Sequence, residues 1–183
     1  MESEDFAKFV ASQQGTGVDT EIDWAEIRDD WLRDLDSLHQ RMVGYLHDYI
    51  EAGSISYEFV EVALTEENIG EYFAKRMDIK IGRQIVRLEP IGTLLIGCKG
   101  RVDAVGSAGR AQIILINAKA KGAADLISVR VTFGEKGSAP PSPSPPRQPV
   151  SWAWKIVTNT FPRTFADLNK ETFLALLMEI ANA

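Results

Sequence analysis

Residues 23–53, DWAEIRDDWLRDLDSLHQRMVGYLHDYIEAG, decide how this chain is read. Asp23 suits an N-cap, and Glu26, three residues on, can bond back to it in a capping box of the Asp-x-x-Glu kind. Apolar side chains then recur at Trp24, Ile27, Trp31, Leu35, Leu38, Met42, Tyr45 and Tyr49, in steps of three and four that make a heptad-like stripe. Gly53 is a stop signal, because glycine takes the left-handed conformation without steric cost. At about 1.5 Å per residue the helix is on the order of 40 Å long, more than a small domain needs to cover its own sheet. The excess predicts that the stripe, from Trp24 and Ile27 through Trp31, Leu35, Leu38, Met42 and Tyr45, binds a protein partner, most simply a second copy in a homodimer.

Working outward, a short amphipathic segment with Phe6, Phe9 and Val10 precedes this helix, and Gly15 and Gly17 break it off. Residues 55–64 fit a helix by the spacing of Ile55, Phe59, Val62 and Ala63, and a strand by their β-branched and aromatic content. The strand is favoured and the helix stays open. Thr65 then suits an N-cap with Glu66 and Glu67 in the first turn, and Ile69, Phe73 and Met77 supply a buried face, so a short helix is expected over 66–77. From Ile79 the pattern changes to β-rich runs punctuated by glycine, at 84–89, 93–96, 101–105, 111–117, 126–133 and 150–158. Such spacing predicts an antiparallel meander.

Gly106-Ser107-Ala108-Gly109 makes a hairpin turn of the strands it joins, and 97–100 another. The alternating runs at 126–133 and 150–158 read as one pair. Between them, 134–149 holds six of the chain's 8 prolines and reads as a solvated loop. Asn169 caps a last helix, with Leu168 stapled to Phe173 and Leu174, Leu176, Leu177 and Ile180 on its apolar face. The expected fold is one α+β domain over 1–183. An acidic, mainly helical part (1–77) carries the long and the short helix. A basic β-rich part (78–160) forms a twisted antiparallel sheet of about five or six strands, and a C-terminal helix (161–183) packs on it.

The chain of 183 residues is 45% hydrophobic with 4 Trp, enough for a sizeable core. Its net charge of −6 conceals a division. Residues 1–74 hold 18 acids and 4 bases, a net −14, and residues 75–183 hold 8 acids and 16 bases, a net +8. An exposed basic half attracts phosphate or an acidic partner; halves in contact neutralise each other. The single cysteine, Cys98, leaves no disulfide framework, and with only His39 and His47 besides, no metal is expected. No apolar run approaches the roughly 18–20 residues that span a bilayer, so a cytoplasmic protein with no membrane partner is expected.

His39 and His47 lie two helical turns apart, too far to share an ion, and read as solvated or interface histidines. Cys98 is flanked by cations that can lower a thiol pKa, and reads instead as a buried or turn cysteine. Lys80, Arg83, Arg87, Lys99, Arg101, Arg110, Lys119, Lys121 and Arg130 can share a sheet face, a patch for phosphate or nucleic acid. The aromatics that base stacking needs are missing from 79–132. Trp152 and Trp154 alternate with Ala153 and Lys155 as core-facing residues do.

The segment from Gly100-Arg101-Val102-Asp103 through a turn to Asn117-Ala118-Lys119 resembles the central hairpin of PD-(D/E)XK nucleases. In that family an Asp and a Glu-x-Lys bring two carboxylates and a Lys to a divalent cation. The resemblance matches Asp103 to the Asp and Lys119 to the Lys, while Asn117 stands at the Glu. It implies a nucleic-acid-binding relative, inactive for want of the second carboxylate, with Mg2+ as cofactor only under this alternative. The leading expectation is a non-enzymatic cytosolic interaction or accessory factor, antitoxin-like, immunity-like or inhibitor-like, with no cofactor and no catalytic residues. It acts through the acidic helix and self-associates along its stripe.

Overall fold

The computed structural model of the chain describes residues 22–93, 97–126, 150–158 and 162–182. Asp23 does cap the long helix: its carboxylate accepts the Glu26 N–H at 2.9 Å, and α1 runs Trp24–Glu51. Gly53, at φ 71°, ends it. Seven antiparallel strands follow, β1 (Ile55–Glu66), β2 (Gly70–Ile81), β3 (Gln84–Gly92), β4 (Gly100–Val105), β5 (Arg110–Asn117), β6 (Trp152–Val157) and β7 (Phe165–Asp167). A 3-10 turn, Ala123–Leu126, lies between β5 and β6, and α2 (Lys170–Ala181) closes the fold. The strands lie in the sheet in chain order, β1 to β7, an open meander with β1 and β7 at its edges. No helix among the described residues is long and apolar enough to cross a membrane.

The short helix expected over 66–77 is a strand. Asn68 and Gly70 take positive φ (71° and 88°), which turns the chain back on itself, and β2 then pairs with β1 over twelve residues, Ile55↔Ile81 to Glu66↔Gly70. Phe73 and Met77 are four apart, a spacing that satisfies helix and strand alike, since four is also twice the strand period. The sheet has seven strands, not five or six. Three come from β2 and from β7, which carries no alternation long enough to read, and from 55–64, where the strand is the outcome. β6 pairs with β5 on one side and, over Lys155–Val157, with β7 on the other. Of the run 126–133 only Leu126 is described; 127–133, the proline-rich 134–149, the segment with Phe6, Phe9 and Val10, Arg130 and 94–96 lie outside the described residues.

Both helices pack on one face of the sheet. Trp31, Leu35, Leu38, Met42 and Leu46 of α1 are at most 1% exposed, and they share a core with Met77, Ile79, Val86, Leu88, Val102, Ile113 and Trp154 of the sheet and Phe173, Leu177 and Ile180 of α2. Asn169 caps α2 in a reciprocal box with Thr172. α1 is no overhang: its 28 residues span about 42 Å, and the 12-residue strands β1 and β2 span about 40 Å. The stripe is therefore spent on the chain's own sheet. Trp24, Ile27 and Tyr45 are half-buried at its flanks, Tyr45 with its ring 6.1 Å from Phe173.

Trp31 lies directly over Gly100, where an added Cβ would run into its ring. Gly100→Ala is expected to lower stability by about 1–3 kcal/mol in urea unfolding, because the ring must move off a packed site. Trp31→Asp is expected to abolish the cooperative thermal transition. A Trp31→Asp chain that stays folded and changes only its mass in light scattering would return the stripe to a partner.

Candidate functional site

Buried carboxylates organise the sheet face away from the helices. Asp78 on β2 and Asp103 on β4 are 9% and 1% exposed, and an ionised group so placed must be paired. Each holds a guanidinium two residues earlier in a two-bond fork: Arg76 on Asp78 at 2.6 and 2.8 Å, and Arg101 on Asp103 at 2.6 and 2.8 Å. Two residues along a strand return to the same face, which is why Arg-x-Asp closes on itself. Arg87 lies 3.9 Å from Asp78 and Arg110 3.8 Å from Asp103, one strand over in each case. Lys155 on β6, also buried, donates to the Ala120 carbonyl (2.9 Å) and pairs with Asp167 (3.1 Å).

The expected basic patch is thus largely spoken for. Lys99 pairs with Asp34 (2.7 Å) and Asp30 (3.8 Å) of α1, Lys75 with Asp36 (3.6 Å), and Lys170 of α2 with Asp48 (3.0 Å). The acidic helix lies on its own basic half. Arg83 in the β2–β3 turn, Lys80, Lys119 and Lys121 are exposed and have no ion pair among the described residues, dispersed rather than gathered.

The nuclease-like constellation is not assembled. Asp103 pairs across the sheet with Gln112, so Asn117, five residues further along β5, is roughly 17 Å away along the strand. Asn117 accepts the Lys119 N–H at 3.0 Å, and both are exposed. Among the described residues no group of three or more His, Cys, Asp or Glu is placed to hold a metal ion. Burial pushes the Cys98 thiol up, against a smaller pull from Arg101, so its flanking cations do not activate it.

Three of the apolar side chains left exposed gather at the sheet's outer edge. β1 is the edge strand, and Tyr57 (36%) and Phe59 (45%) on it, with Phe73 (58%) on β2, stand exposed. Tyr57 and Phe59 pair with Ile79 and Met77, both fully buried, which puts them on the helix side of the sheet, beyond the cover of α1. β2 pairs with β3 only over Met77–Ile81, so the rest of the hairpin projects as a two-stranded ribbon, which twists strongly. Burial accordingly changes face along β2, from Met77 and Ile79 to Ala74 and Tyr72. Glu66 ties the ribbon's tip back: it accepts the Tyr72 hydroxyl and the Thr93 N–H (2.8 Å) and hydroxyl (2.9 Å).

Between α1 and this edge is a cavity of about 340 Å³ lined by Val43, Tyr57 and Phe59 together with Gln40, Asp36 and Lys75. His39 lies beneath it, its ring 5.2 Å from that of Phe59. It is not the solvated or interface histidine expected, being 2% exposed with neither ring nitrogen hydrogen-bonded. Burial lowers its pKa to about 4, Asp36 opposing and Lys75 reinforcing the shift; His47 is exposed. The spacing that marks His39 is visible in the sequence, one residue past Leu38 in the stripe, but not that β1 would roof it. Tyr57, Phe59 and Phe73 were equally hidden among runs of apolar residues, the available signal being that no Lys or Arg occurs from Met42 to Ala74.

A histidine kept neutral in the fold and protonated in the unfolded chain makes stability fall as pH drops from about 6.5 towards 4 and level off below. Urea unfolding across that range should show wild type losing on the order of 2–3 kcal/mol relative to His39→Leu; parallel curves would refute the neutral buried state. Asp103→Ala should cost about 3 kcal/mol or more by stranding Arg101. Intact stability with loss of a Mg2+-dependent DNA cleavage would instead restore the nuclease reading. No family model, curated protein or solved structure matches the chain, so its surface stands on its own geometry.

Proposed function

We propose that the chain is a non-enzymatic interaction or accessory factor, of the inhibitor, antitoxin or immunity kind, that captures a partner protein on the outer edge of its sheet. The observation that carries this reading is the edge itself: twelve residues of β1 with two exposed aromatics and nothing paired beyond them among the described residues. Folded chains ordinarily blunt such an edge with Lys, Pro, a bulge or a short strand. β1 has none of these, and its register with β2 is unbroken. The setting we assign is the cytosol, since a chain with a single cysteine forms no intrachain disulfide.

The edge disfavours the other two readings. Seven acids and no Lys or Arg lie between Met42 and Ala74, which repels phosphate chains, and the bases of the opposite face are held by Asp78 and Asp103. A second copy laid on β1 would bring Glu58 and Glu61 against their own kind.

Genomic-fragment display of the source organism against the immobilised chain tests this, counter-screened with Tyr57→Ser/Phe59→Ser. Identified polypeptides that bind at least tenfold more weakly to the double variant, itself folded by circular dichroism, are the expected result. Binding that ignores the edge refutes it. DNA retention lost on Arg87→Glu/Arg110→Glu would favour the nucleic-acid alternative.

A further inference from the structure

Resting on the interaction reading above, we propose a mode and a partner class: an extended segment of alternating apolar and basic residues that adds to β1 as an eighth strand. Alternate residues of an edge strand turn both N–H and C=O outward, so the backbone of β1 offers a ladder to any extended chain. Side chains of an added strand fall alternately on the two faces, and each face beside β1 carries a cavity of different chemistry.

On the helix side is the cavity of about 340 Å³. Val43, Tyr57 and Phe59 line it together with Gln40, and its two charges, Asp36 and Lys75, pair at 3.6 Å. It suits an apolar or aromatic side chain, and the unpaired ring nitrogens of His39 beneath it mark where hydrogen-bonding capacity goes unused in the chain alone. On the other face a cavity of about 240 Å³ has Glu58, Asp78 and Lys80 in its lining, and the β1–β2 hairpin that carries them, 55–81, holds six acids against three bases. Asp78 is committed to Arg76 and Arg87, whereas Glu58 is exposed on the edge strand itself and reaches Arg76 only through its field. A basic side chain answers it. Apolar towards the helix and basic away from it is the period-two pattern of a strand.

The probe is an acetylated, amidated octapeptide, (Lys-Val)4, titrated into the full chain and followed by calorimetry, hydrogen exchange and His ring NMR. Saturable one-to-one binding is expected, with slowed exchange along β1 and shifts at His39 but not His47. Glu58→Lys/Glu61→Lys should weaken it at least tenfold, and (Glu-Val)4 should not bind. N-methylation of one alternate set of peptide nitrogens should weaken binding at least tenfold and of the other set hardly at all.

Equal effects of the two methylated sets, or protection away from β1, overturn strand addition. Slowed β1 exchange in the free chain that depends on its concentration and is abolished in Glu58→Lys/Glu61→Lys would assign the edge to a second copy, and also overturns it. An identified display partner that needs Tyr57 and Phe59 while the octapeptide fails overturns this mode alone and leaves the interaction reading standing; failure of the display removes that reading too.

Discussion

The packing of Trp31 into the notch over Gly100 determines where α1 lies, and the charge distribution follows from it. With no side chain on Gly100 the indole sits directly on the sheet, and the helix turns on either side then hold Asp30 and Asp34 over Lys99 and Asp36 over Lys75. These pairs do not hold the helix down. Exposed ion pairs contribute about 0–1 kcal/mol each, whereas each of Trp31, Leu35, Leu38, Met42 and Leu46 gains roughly 1.5–3 kcal/mol by leaving water. The stripe supplies the energy and the acids select the orientation. The division into a −14 front half and a +8 back half is then mainly internal complementarity.

On the opposite face the same logic runs at higher stakes. A buried ion pair gains little over a pair of apolar side chains, but removing one member strands the other at a cost of about 3–5 kcal/mol. Asp103 with Arg101 and Asp78 with Arg76 are therefore better understood as fixing strand neighbours than as adding stability. Each carboxylate also faces a guanidinium on the next strand, Arg110 or Arg87, and a one-residue slip would turn these groups to the other face of the sheet. The residues that resemble a catalytic hairpin are thereby consumed by register. A carboxylate already forked by one guanidinium and faced by a second is neutralised, which leaves it little attraction for a further cation.

How legible this was depended on whether one period could be told from another. The eight apolar positions of α1 recur in steps of three and four, which no strand satisfies, and the cap at Asp23 and the stop at Gly53 fall where the helix begins and ends. The strands β3 to β6 could be read from glycine punctuation and alternation to within two or three residues. β2 could not, because the four-residue step from Phe73 to Met77 is common to both periods, and the deciding feature, the left-handed turn at Asn68 and Gly70, looked like part of a first helical turn. The candidate site was hidden for a different reason. Whether an aromatic on a strand is core or surface depends on what stands beside that strand, and strand order is not a local property: Tyr57 and Phe59 are exposed only because β1 is last in line.

That position raises the question of what keeps a long apolar edge from pairing with itself. Among the usual devices only one is present, like charge. Glu58 and Glu61 on β1 and the absence of any Lys or Arg from Met42 to Ala74 make the edge repel its copies while leaving its hydrogen-bonding groups open, the reverse of protection by proline or a bulge, which would close the edge to every chain. An edge guarded by charge sign alone is selective by construction: it excludes acidic strands, including its own, and stays available to basic ones. The long helix, buried on the sheet from Trp31 to Leu46, supports this arrangement from one face, and among the described residues β2 is the one strand paired with β1.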